Sequence, residues 1–189
     1  MKRQLLSVCL LLPLSFHAQH LQLSGDNCNI SYLTMEDGLL HNYIDDIYKD
    51  NRGFIWFSTG GGLSRYDGFS FTNYQMETSP VTLKRNSVHR VYEDDFNRLW
   101  IASDGGLDIL DLENSELVNL FEEIDPEMTA FLKNPVKNII KDNKGNIWLL
   151  SGYIYKIHLN QKGGIADIFK LPEDLQSVRY IAMNDVDGD

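Results

Sequence analysis

Three short segments combine an aspartate, a polar turn and a tryptophan, and a carboxylate beside an aromatic ring could form a binding site. In each segment the aspartate lies six residues before the tryptophan, with glycine or asparagine three residues before it and isoleucine or leucine one residue before it. The segments contain all three tryptophans of the chain. Their repeated residues are Asp50, Gly53 and Trp56, then Asp94 and Trp100, then Asp142, Gly145 and Trp148.

These segments are better interpreted as a structural repeat than as a site. Residues Phe54 to Thr59 are apolar on both faces, which is typical of a strand that lies between two sheets. Burying one tryptophan removes roughly 150 to 250 Å² from water, or several kcal/mol at about 25 cal/mol per Å². Core packing is therefore favoured over ligand stacking for each tryptophan, and each aspartate is predicted to accept backbone N–H groups in its turn.

Other motifs give no support for catalysis or metal binding. Gly60 to Gly62 lacks the Gly-Lys-Ser/Thr ending of a phosphate loop and is predicted to be a turn between strands. The acidic run Asp185 to Asp189 fails as a calcium loop, because Met183 falls where the first aspartate ligand belongs. There is no Gly-x-Ser-x-Gly motif. Four histidines also lack the close spacing of metal ligands, namely His20, His41, His89 and His158. We predict no catalytic, cofactor or metal site in this segment.

Composition restricts the class of protein. The chain has 189 residues, of which 43% are hydrophobic, 11% aromatic and 23% charged. These values suit a soluble folded domain with a sizeable core, not a disordered or multi-span membrane protein. The net charge of −10 argues against a nucleic-acid-binding protein, which needs a basic surface to displace counterions from phosphates.

The first 18 residues have the pattern of a secretory signal peptide. Lys2 and Arg3 precede an apolar run, Leu5 to Leu14, that is too short to span a bilayer, and cleavage is predicted after Ala18. Residues 19–29 are predicted to be a polar leader. Cys28 is then the single cysteine of the exported chain, so no internal disulfide is expected and Cys28 is interpreted as a small apolar filler.

Around the three segments the chain repeats a unit of four short strands joined by turns, and roughly forty residues per unit is the size of one propeller blade. The offset between units is 44 residues from Trp56 to Trp100 and 48 from Trp100 to Trp148. We predict an all-β fold of β-propeller blades with four antiparallel strands each, of which about three and a half are present in residues 30–189. The blades are predicted at residues 44–86, 87–134 and 135–176, with a partial blade at 177–189.

The first unit shows the predicted strands most clearly, at Ile44–Asp50, Phe54–Thr59, Leu63–Asp67 and Ser70–Tyr74. Ile30 to Leu33 is a further short strand candidate. In the third unit the turn at Gly152 is one residue shorter than its equivalents. The fourth unit begins at Val178 and breaks off at Asp189 in mid-blade, so we expect the chain to be a fragment of a longer reading frame.

Two long connections are the candidates for ligand recognition, because recognition residues in such folds lie on loops. They are Gln75 to Arg85 and Glu113 to Pro135, the second of which includes a short helix or acidic loop at Glu122 to Glu127. Without Lys2 and Arg3 the net charge is −12, which favours neutral ligands over polyanions, although Lys84 and Arg85 offer a local basic group.

The repeated residues resemble the two-component regulator propeller repeat, with its aliphatic pair, Asp-x-x-Gly-x-Ile-Trp turn and Gly-Leu-x-Arg-Tyr-Asp strand. The first unit matches almost throughout, and the resemblance covers about residues 30–189. The second unit departs at Asn97 and at Ile109-Leu110, and the third at Gly152 to Ile157. The matching residues of the first unit are Asp37-Gly38-Leu39, Asp50, Gly53, Ile55-Trp56, Thr59, Gly62-Leu63, Arg65 to Gly68 and Phe71.

The resemblance implies the N-terminal periplasmic sensor propeller of a hybrid two-component histidine kinase. Such receptors carry two propellers, an immunoglobulin-like domain, an inner-membrane helix and cytoplasmic kinase, receiver and DNA-binding parts. It also implies oligosaccharides released from complex glycans as ligands, a homodimeric full-length receptor and no cofactor. Kinase activity would lie in a part absent from this chain, so the segment itself is expected to be non-catalytic.

Two alternatives remain open from the sequence. Propeller enzymes take catalytic residues from loops of several blades, so a secreted enzyme of the lyase kind stays possible without a recognisable motif, as does a plain binding scaffold. We also expect the chain to be poorly soluble or to aggregate when it is expressed alone, because an incomplete propeller leaves apolar edges open.

Overall fold

The computed structural model describes residues 31–77 and 81–172, which form three four-stranded sheets. The predicted signal peptide, the leader with Cys28 and His20, and the partial fourth unit lie outside the described residues. Within the described residues, no helix has both the length and the apolar character needed to cross a membrane.

Each sheet consists of four consecutive antiparallel strands in chain order, as the sequence predicts. Sheet 1 contains β1 (Ile44–Lys49), β2 (Ile55–Thr59), β3 (Gly62–Tyr66) and β4 (Phe71–Tyr74). Sheet 2 contains β5 (Val88–Glu93), β6 (Arg98–Ser103), β7 (Gly106–Asp111) and β8 (Glu116–Leu117). Sheet 3 contains β9 (Asn138–Lys141), β10 (Ile147–Ser151), β11 (Tyr153–Leu159) and β12 (Ile165–Lys170). Two 3₁₀ turns, Met35–Asp37 and Ala130–Lys133, lie outside the sheets.

The sheets are sandwiched face to face, and the first strand of sheet 2, β5, contacts both β1 of sheet 1 and β9 of sheet 3. Because consecutive strands are antiparallel, successive connections alternate between the two ends of every sheet. We call the end with the aspartate turns the turn end. The opposite end, with the long connections and the turns between second and third strands, is the connection end.

Two apolar cores fill the spaces between the sheets, one on each face of sheet 2. In the first core, Trp56 of sheet 1 packs among aliphatic residues of sheet 2, and in the second, Trp100 of sheet 2 packs among those of sheet 3. Strand alternation explains this arrangement, because neighbouring residues of β6 such as Leu99 and Trp100 point to opposite faces. The expectation for Phe54 to Thr59 agrees with the structure, because Trp56 and Phe57 point to opposite faces of β2 and both are buried. In sheet 2 every residue of β6 is buried, including the polar Arg98 and Ser103.

Some local expectations were wrong or are now resolved. Ser31 to Leu33, the described part of the predicted N-terminal strand, is not in a strand. The chain there leads into the Met35–Asp37 turn, which Thr34 and Asp37 cap reciprocally. Glu122 to Glu127 forms turns and no helix. The shortened turn at Gly152 is confirmed, because Ser151 pairs directly with Tyr153, whereas two residues separate the paired Thr59 and Gly62.

Candidate functional site

The aspartate turn is built the same way in all three sheets. In sheet 1, Asp50 Oδ1 accepts the backbone N–H groups of Arg52 at 3.0 Å and Phe54 at 2.9 Å. Asp50 Oδ2 accepts the indole N–H of Trp56 at 2.9 Å. One carboxylate thus closes the turn and fixes the ring orientation of the tryptophan that follows.

The other two copies repeat these contacts. Asp94 accepts the backbone N–H of Arg98 at 3.2 Å and the indole N–H of Trp100 at 2.8 Å. Asp142 accepts the N–H of Asn146 and the indole N–H of Trp148, both at 2.9 Å. The predicted turn role of the aspartates agrees with this geometry, but the indole bond was missed. A constant spacing of six residues in three copies was the available signal for it.

The residue three positions after each turn aspartate has a left-handed backbone, which explains why it is glycine or asparagine. Gly53 has φ of +92°, Asn97 +58° and Gly145 +82°. Glycine adopts this conformation without a steric penalty and asparagine tolerates it better than most residues. The departure at Asn97 therefore preserves the turn.

Trp148 differs from its two counterparts. Trp56 and Trp100 are completely buried, at 0% exposure, but Trp148 is only partly buried. The Lys156 ammonium lies 5.7 Å from the Trp148 ring centroid, and a cavity of about 650 Å³ opens beside the ring. Among residues 31–77 and 81–172 no sheet covers this face, so a core position for Trp148 stays a prediction.

The surroundings of the Asp142 carboxyl shift its pKa. Burial alone would raise its pKa, but hydrogen bonds from Trp148, Asn146 and the backbone outweigh burial and lower the pKa to about 2. Asn146 also fixes His158, since its amide N–H faces the Asp142 carboxylate and its oxygen faces His158 Nδ1 at 3.1 Å. The Nδ1 atom of His158 must therefore carry the proton.

The two predicted recognition loops come together at the connection end of sheet 2. Lys84 donates its backbone N–H to Asp108 Oδ2 at 3.0 Å and its ammonium to the Leu107 carbonyl at 2.5 Å. Leu132 of the second connection lines the same cavity, which has a volume of about 340 Å³. Lys84, part of the predicted basic group, is thus anchored at the mouth of this cavity.

A polar cluster lies beside these loops at the start of the first strands. The Asp104 carboxylate accepts from His89 Nε2 at 2.9 Å and Lys137 Nζ at 2.5 Å. Hydrogen bonds from Lys137 and then His89 hold the pKa of Asp104 well below its usual range. Arg90 joins all three sheets, since its Nε lies 3.5 Å from Asp46 and its Nη1 donates to Asn138 at 2.9 Å.

We call these six side chains the inner-strand cluster, and its members are Asp46, His89, Arg90, Asp104, Lys137 and Asn138. Burial is the main reason that the pKa of Asp46 is raised, and Arg90 offsets it only in part. The cluster is rich in hydrogen-bond donors and acceptors and is partly open to solvent. Sequence reasoning missed it because its members come from three separate units.

The remaining motifs are the glycine run at Gly60, the candidate metal ligands and the acidic run. Gly60 and Gly61 form the turn between β2 and β3, as predicted. In residues 31–77 and 81–172 no three histidine, cysteine, aspartate or glutamate side chains are grouped to hold a metal ion. The acidic run at Asp185 to Asp189 lies outside the described residues.

Comparisons with known proteins agree with the fold. Residues 38–61 and 82–105 match the family model of the two component regulator propeller. A search of curated proteins gave no significant match. Among solved structures, the extracellular domain of BT3049 from B. thetaiotaomicron, described as a hybrid two component system, superposes with a TM-score of 0.62 and 26% identity. That match covers 77% of this chain and 20% of the other.

Two further structures are less similar. The extracellular domain of BT4673 from B. thetaiotaomicron, described as a one component system, has a TM-score of 0.48 and 21% identity over 67% of this chain and 19% of that one. A streptogramin B lyase has a TM-score of 0.47 and 15% identity over 71% of this chain and 43% of that one. The chain therefore spans about a fifth of the length of the two extracellular domains.

Proposed function

We propose that this chain, which carries the two-component regulator propeller repeat, is part of the extracellular ligand-sensing propeller of a two-component signalling receptor. The observation that carries the proposal is the match to the BT3049 extracellular domain, at 26% identity and a TM-score of 0.62. The two repeat matches include the first two strands of sheet 1, at residues 38–61, and the first two strands of sheet 2, at residues 82–105.

The segment itself is proposed to be non-catalytic. The repeated carboxylates Asp50, Asp94 and Asp142 each bind an indole N–H and backbone N–H groups. Carboxylates engaged in this way are poorly placed to transfer protons to a ligand. Signalling would then depend on kinase parts of the receptor, in a homodimer anchored in the inner membrane with this segment in the periplasm.

We place ligand binding at the connection end and propose oligosaccharides released from glycans as the ligands. The inner-strand cluster offers side-chain donors and acceptors at the start of the first strands, and the two long connections flank it. Neutral sugars are recognised by such hydrogen-bonding groups, and the net charge of −10 disfavours long-range attraction of polyanions.

The test is a titration of the purified chain with a panel of neutral oligosaccharides from plant and host glycans. Binding is measured by calorimetry, and the recovered sugar is then analysed by chromatography. We expect saturable binding of at least one oligosaccharide and recovery of that sugar unchanged. Cleaved sugar would instead support the secreted propeller enzyme, and no binding across the panel would contradict the ligand class.

A matched pair of lysine variants locates the site. Lys137 lies in the inner-strand cluster with its side chain about half exposed, while Lys144 is an exposed lysine of the turn end. We expect Lys137→Ala to weaken binding about tenfold, the loss of roughly 1.4 kcal/mol typical of a polar contact. Lys144→Ala should leave affinity unchanged. Equal effects of both substitutions would place the ligand elsewhere.

A further inference from the structure

The fourth strand of sheet 2 is the shortest outer strand of the three described sheets. β8 has two residues, whereas β4 has four and β12 has six. In sheet 1 the outer strand pairs with β3 as far as Leu63, near the connection end. In sheet 3 the same pairing continues to Leu171, whose backbone N–H donates to the Ile154 carbonyl at 2.9 Å. In both sheets the outer strand therefore reaches the connection end of the third strand.

The outer strand of sheet 2 ends before it reaches Leu107, which is equivalent in register to Ile154 of sheet 3. Its pairing ends where the Val118 N–H donates to the Ile109 carbonyl at 2.8 Å. The Leu107 carbonyl instead accepts the Lys84 ammonium at 2.5 Å. A side-chain cation thus takes the bonding position that a backbone amide N–H takes in sheet 3.

The cavity of about 340 Å³ at the connection end lies beside this interrupted strand. It is lined by Leu107 and Ile109 of β7 and by Leu117 and Val118, where the chain leaves the sheet. Leu107, Ile109 and Phe121 are buried, and Leu117 is 38% exposed. We call this space the outer-strand cavity, and these five side chains are its apolar floor.

Three polar side chains line the same cavity. The Asp108 carboxylate is buried, with Oδ1 at 3.6 Å from the Lys84 ammonium. Asn119 uses its Oδ1 atom to accept the Phe121 N–H at 3.0 Å, so its NH₂ group is the part that can donate to a ligand. The outer-strand cavity therefore combines a carboxylate acceptor with ammonium and amide donors beside an apolar floor.

We propose that the outer-strand cavity binds the acetamido group of an N-acetylated sugar. This inference rests on the proposed oligosaccharide-sensing function and narrows its ligands to those that contain an N-acetylhexosamine. An acetamido group is a secondary amide like the peptide group that the interrupted strand leaves out. Its N–H donates to the Asp108 carboxylate, its carbonyl accepts from Lys84 or Asn119, and its methyl group packs on the apolar floor.

The same groups disfavour the two sugars most similar to this ligand. A hydroxyl in place of the acetamido group brings no methyl group to Leu117 and Phe121, so their apolar surface stays in contact with water. A free amino group has no carbonyl to accept from Lys84, and it carries a positive charge beside the Lys84 ammonium. The cavity therefore selects the acetylated form.

The outer-strand cavity adjoins the inner-strand cluster, so one oligosaccharide can reach both. Gly105 follows Asp104 of the cluster in the turn between β6 and β7. It packs against Lys84, because a Cβ atom at Gly105 would lie 2.8 Å from the Lys84 Cβ atom. The cluster can then bind hydroxyl groups of the sugar ring next to the one that carries the acetamido group.

The test compares sugars that differ only at the acetamido position. N-acetyllactosamine is matched with lactose, and tri-N-acetylchitotriose with cellotriose. Each pair keeps its linkage and number of rings and exchanges acetamido for hydroxyl. Calorimetry with the purified chain measures the four affinities. We expect the N-acetylated member of at least one pair to bind about tenfold more tightly, from one buried methyl group and one hydrogen bond.

A variant of the apolar floor and a matched control locate the contact. Leu117→Ser removes an apolar side chain from the cavity. Met128→Ser changes a 40% exposed apolar residue of the same connection that does not line the cavity. We expect Leu117→Ser to lower the preference for the acetylated sugar about threefold or more and to leave affinity for its hydroxyl counterpart unchanged. Met128→Ser should keep the full preference, and circular dichroism checks the fold of both variants.

The results that overturn this inference differ from those that overturn the proposed function. Equal affinity for both members of each pair removes the acetamido assignment and leaves oligosaccharide sensing in place. So does a preference that Leu117→Ser and Met128→Ser leave equally intact, or binding of other neutral sugars alone. Absence of binding by every sugar contradicts the proposed function together with this inference. If Leu117→Ser loses its β-sheet spectrum, the affinities of the unchanged chain for the matched sugars still decide the first result.

Discussion

Trp100 and Trp148 occupy equivalent positions in neighbouring sheets, yet one is fully buried and the other is partly open. Both donate their indole N–H to an aspartate six residues earlier, at 2.8 and 2.9 Å. Trp100 then packs against sheet 3, whereas Trp148 faces a cavity of about 650 Å³. The local turn is therefore independent of whether another sheet covers the ring.

This difference separates two contributions that the repeat normally combines. The turn, its left-handed glycine or asparagine and its indole bond are encoded within seven residues. Burial of the ring depends on residues further along the chain, such as Leu83 for Trp56 and Phe131 for Trp100. A comparison of matched substitutions in sheets 2 and 3 measures each contribution by itself.

The largest effect is expected from removing the buried ring. Trp100→Ala leaves a large void between sheets 2 and 3 and should lower the free energy of unfolding by about 4 kcal/mol. Trp148→Ala removes a partly exposed ring and should cost about 1 to 2 kcal/mol. Urea titrations followed by circular dichroism at low protein concentration measure both values. Equal losses would mean that Trp148 is buried in solution and would remove the contrast between the two sheets.

The turn aspartates should show the next largest difference. Asp94→Ala removes the acceptor of Trp100 and leaves the buried Arg98 guanidinium, now 2.7 Å from Asp94 Oδ2, without its carboxylate. A buried charge that loses its partner costs about 3 kcal/mol or more. Asp142→Ala exposes its donors to water and should cost about 1 kcal/mol.

The same urea titrations measure the aspartate variants, and Asp94→Ala combined with Arg98→Met is the matched control. We expect the double variant to be more stable than Asp94→Ala alone, because it removes the unpaired charge together with the carboxylate. A double variant that is less stable than Asp94→Ala would show that Arg98 contributes mainly through packing.

Much of this fold is readable from the sequence because its determinants are local. The strands of sheet 1, the turns at Gly60 and Gly152 and the aspartate turns depend on neighbouring residues, and their predicted positions agree with the structure to within two residues. The indole bond to Asp50 was also encoded locally. It was missed because a buried N–H was not matched to the nearest acceptor.

The inner-strand cluster and the exposure of Trp148 could not be read in the same way. His89, Asp104 and Lys137 come together only after sheets 2 and 3 stack, so no spacing along the chain marks them. Trp148 has the same local sequence pattern as Trp56 and Trp100. Its environment differs because of what covers sheet 3, which a pattern of seven residues does not contain.

A smaller difference is expected between Val91 of sheet 2 and Ile47, its equivalent in sheet 1. Val91→Ala removes two methyl groups from a closed core between sheets 1 and 2 and should cost about 1 to 2 kcal/mol. Ile47→Ala, at the equivalent and 61% exposed position, should cost less than about 0.5 kcal/mol in dilute protein. Thermal unfolding of both variants at two protein concentrations measures this. A large cost of Ile47→Ala at low protein concentration would contradict the exposed position of Ile47.

The last comparison is a pH dependence that belongs to sheet 3. The pKa of Asp142 is about 2 in the folded chain and near 3.9 for an ordinary aspartate, so the unfolded chain binds this proton first. Its stabilising contribution is therefore complete above about pH 4 and is lost as pH falls toward 2. Asp142→Asn should flatten the fall of unfolding free energy across this window. Trp148→Phe keeps a ring but removes the indole donor, so it should raise the pKa of Asp142 and shift the same fall to higher pH. An unchanged acid limb in both variants would show that the indole bond does not hold the carboxylate in its charged form.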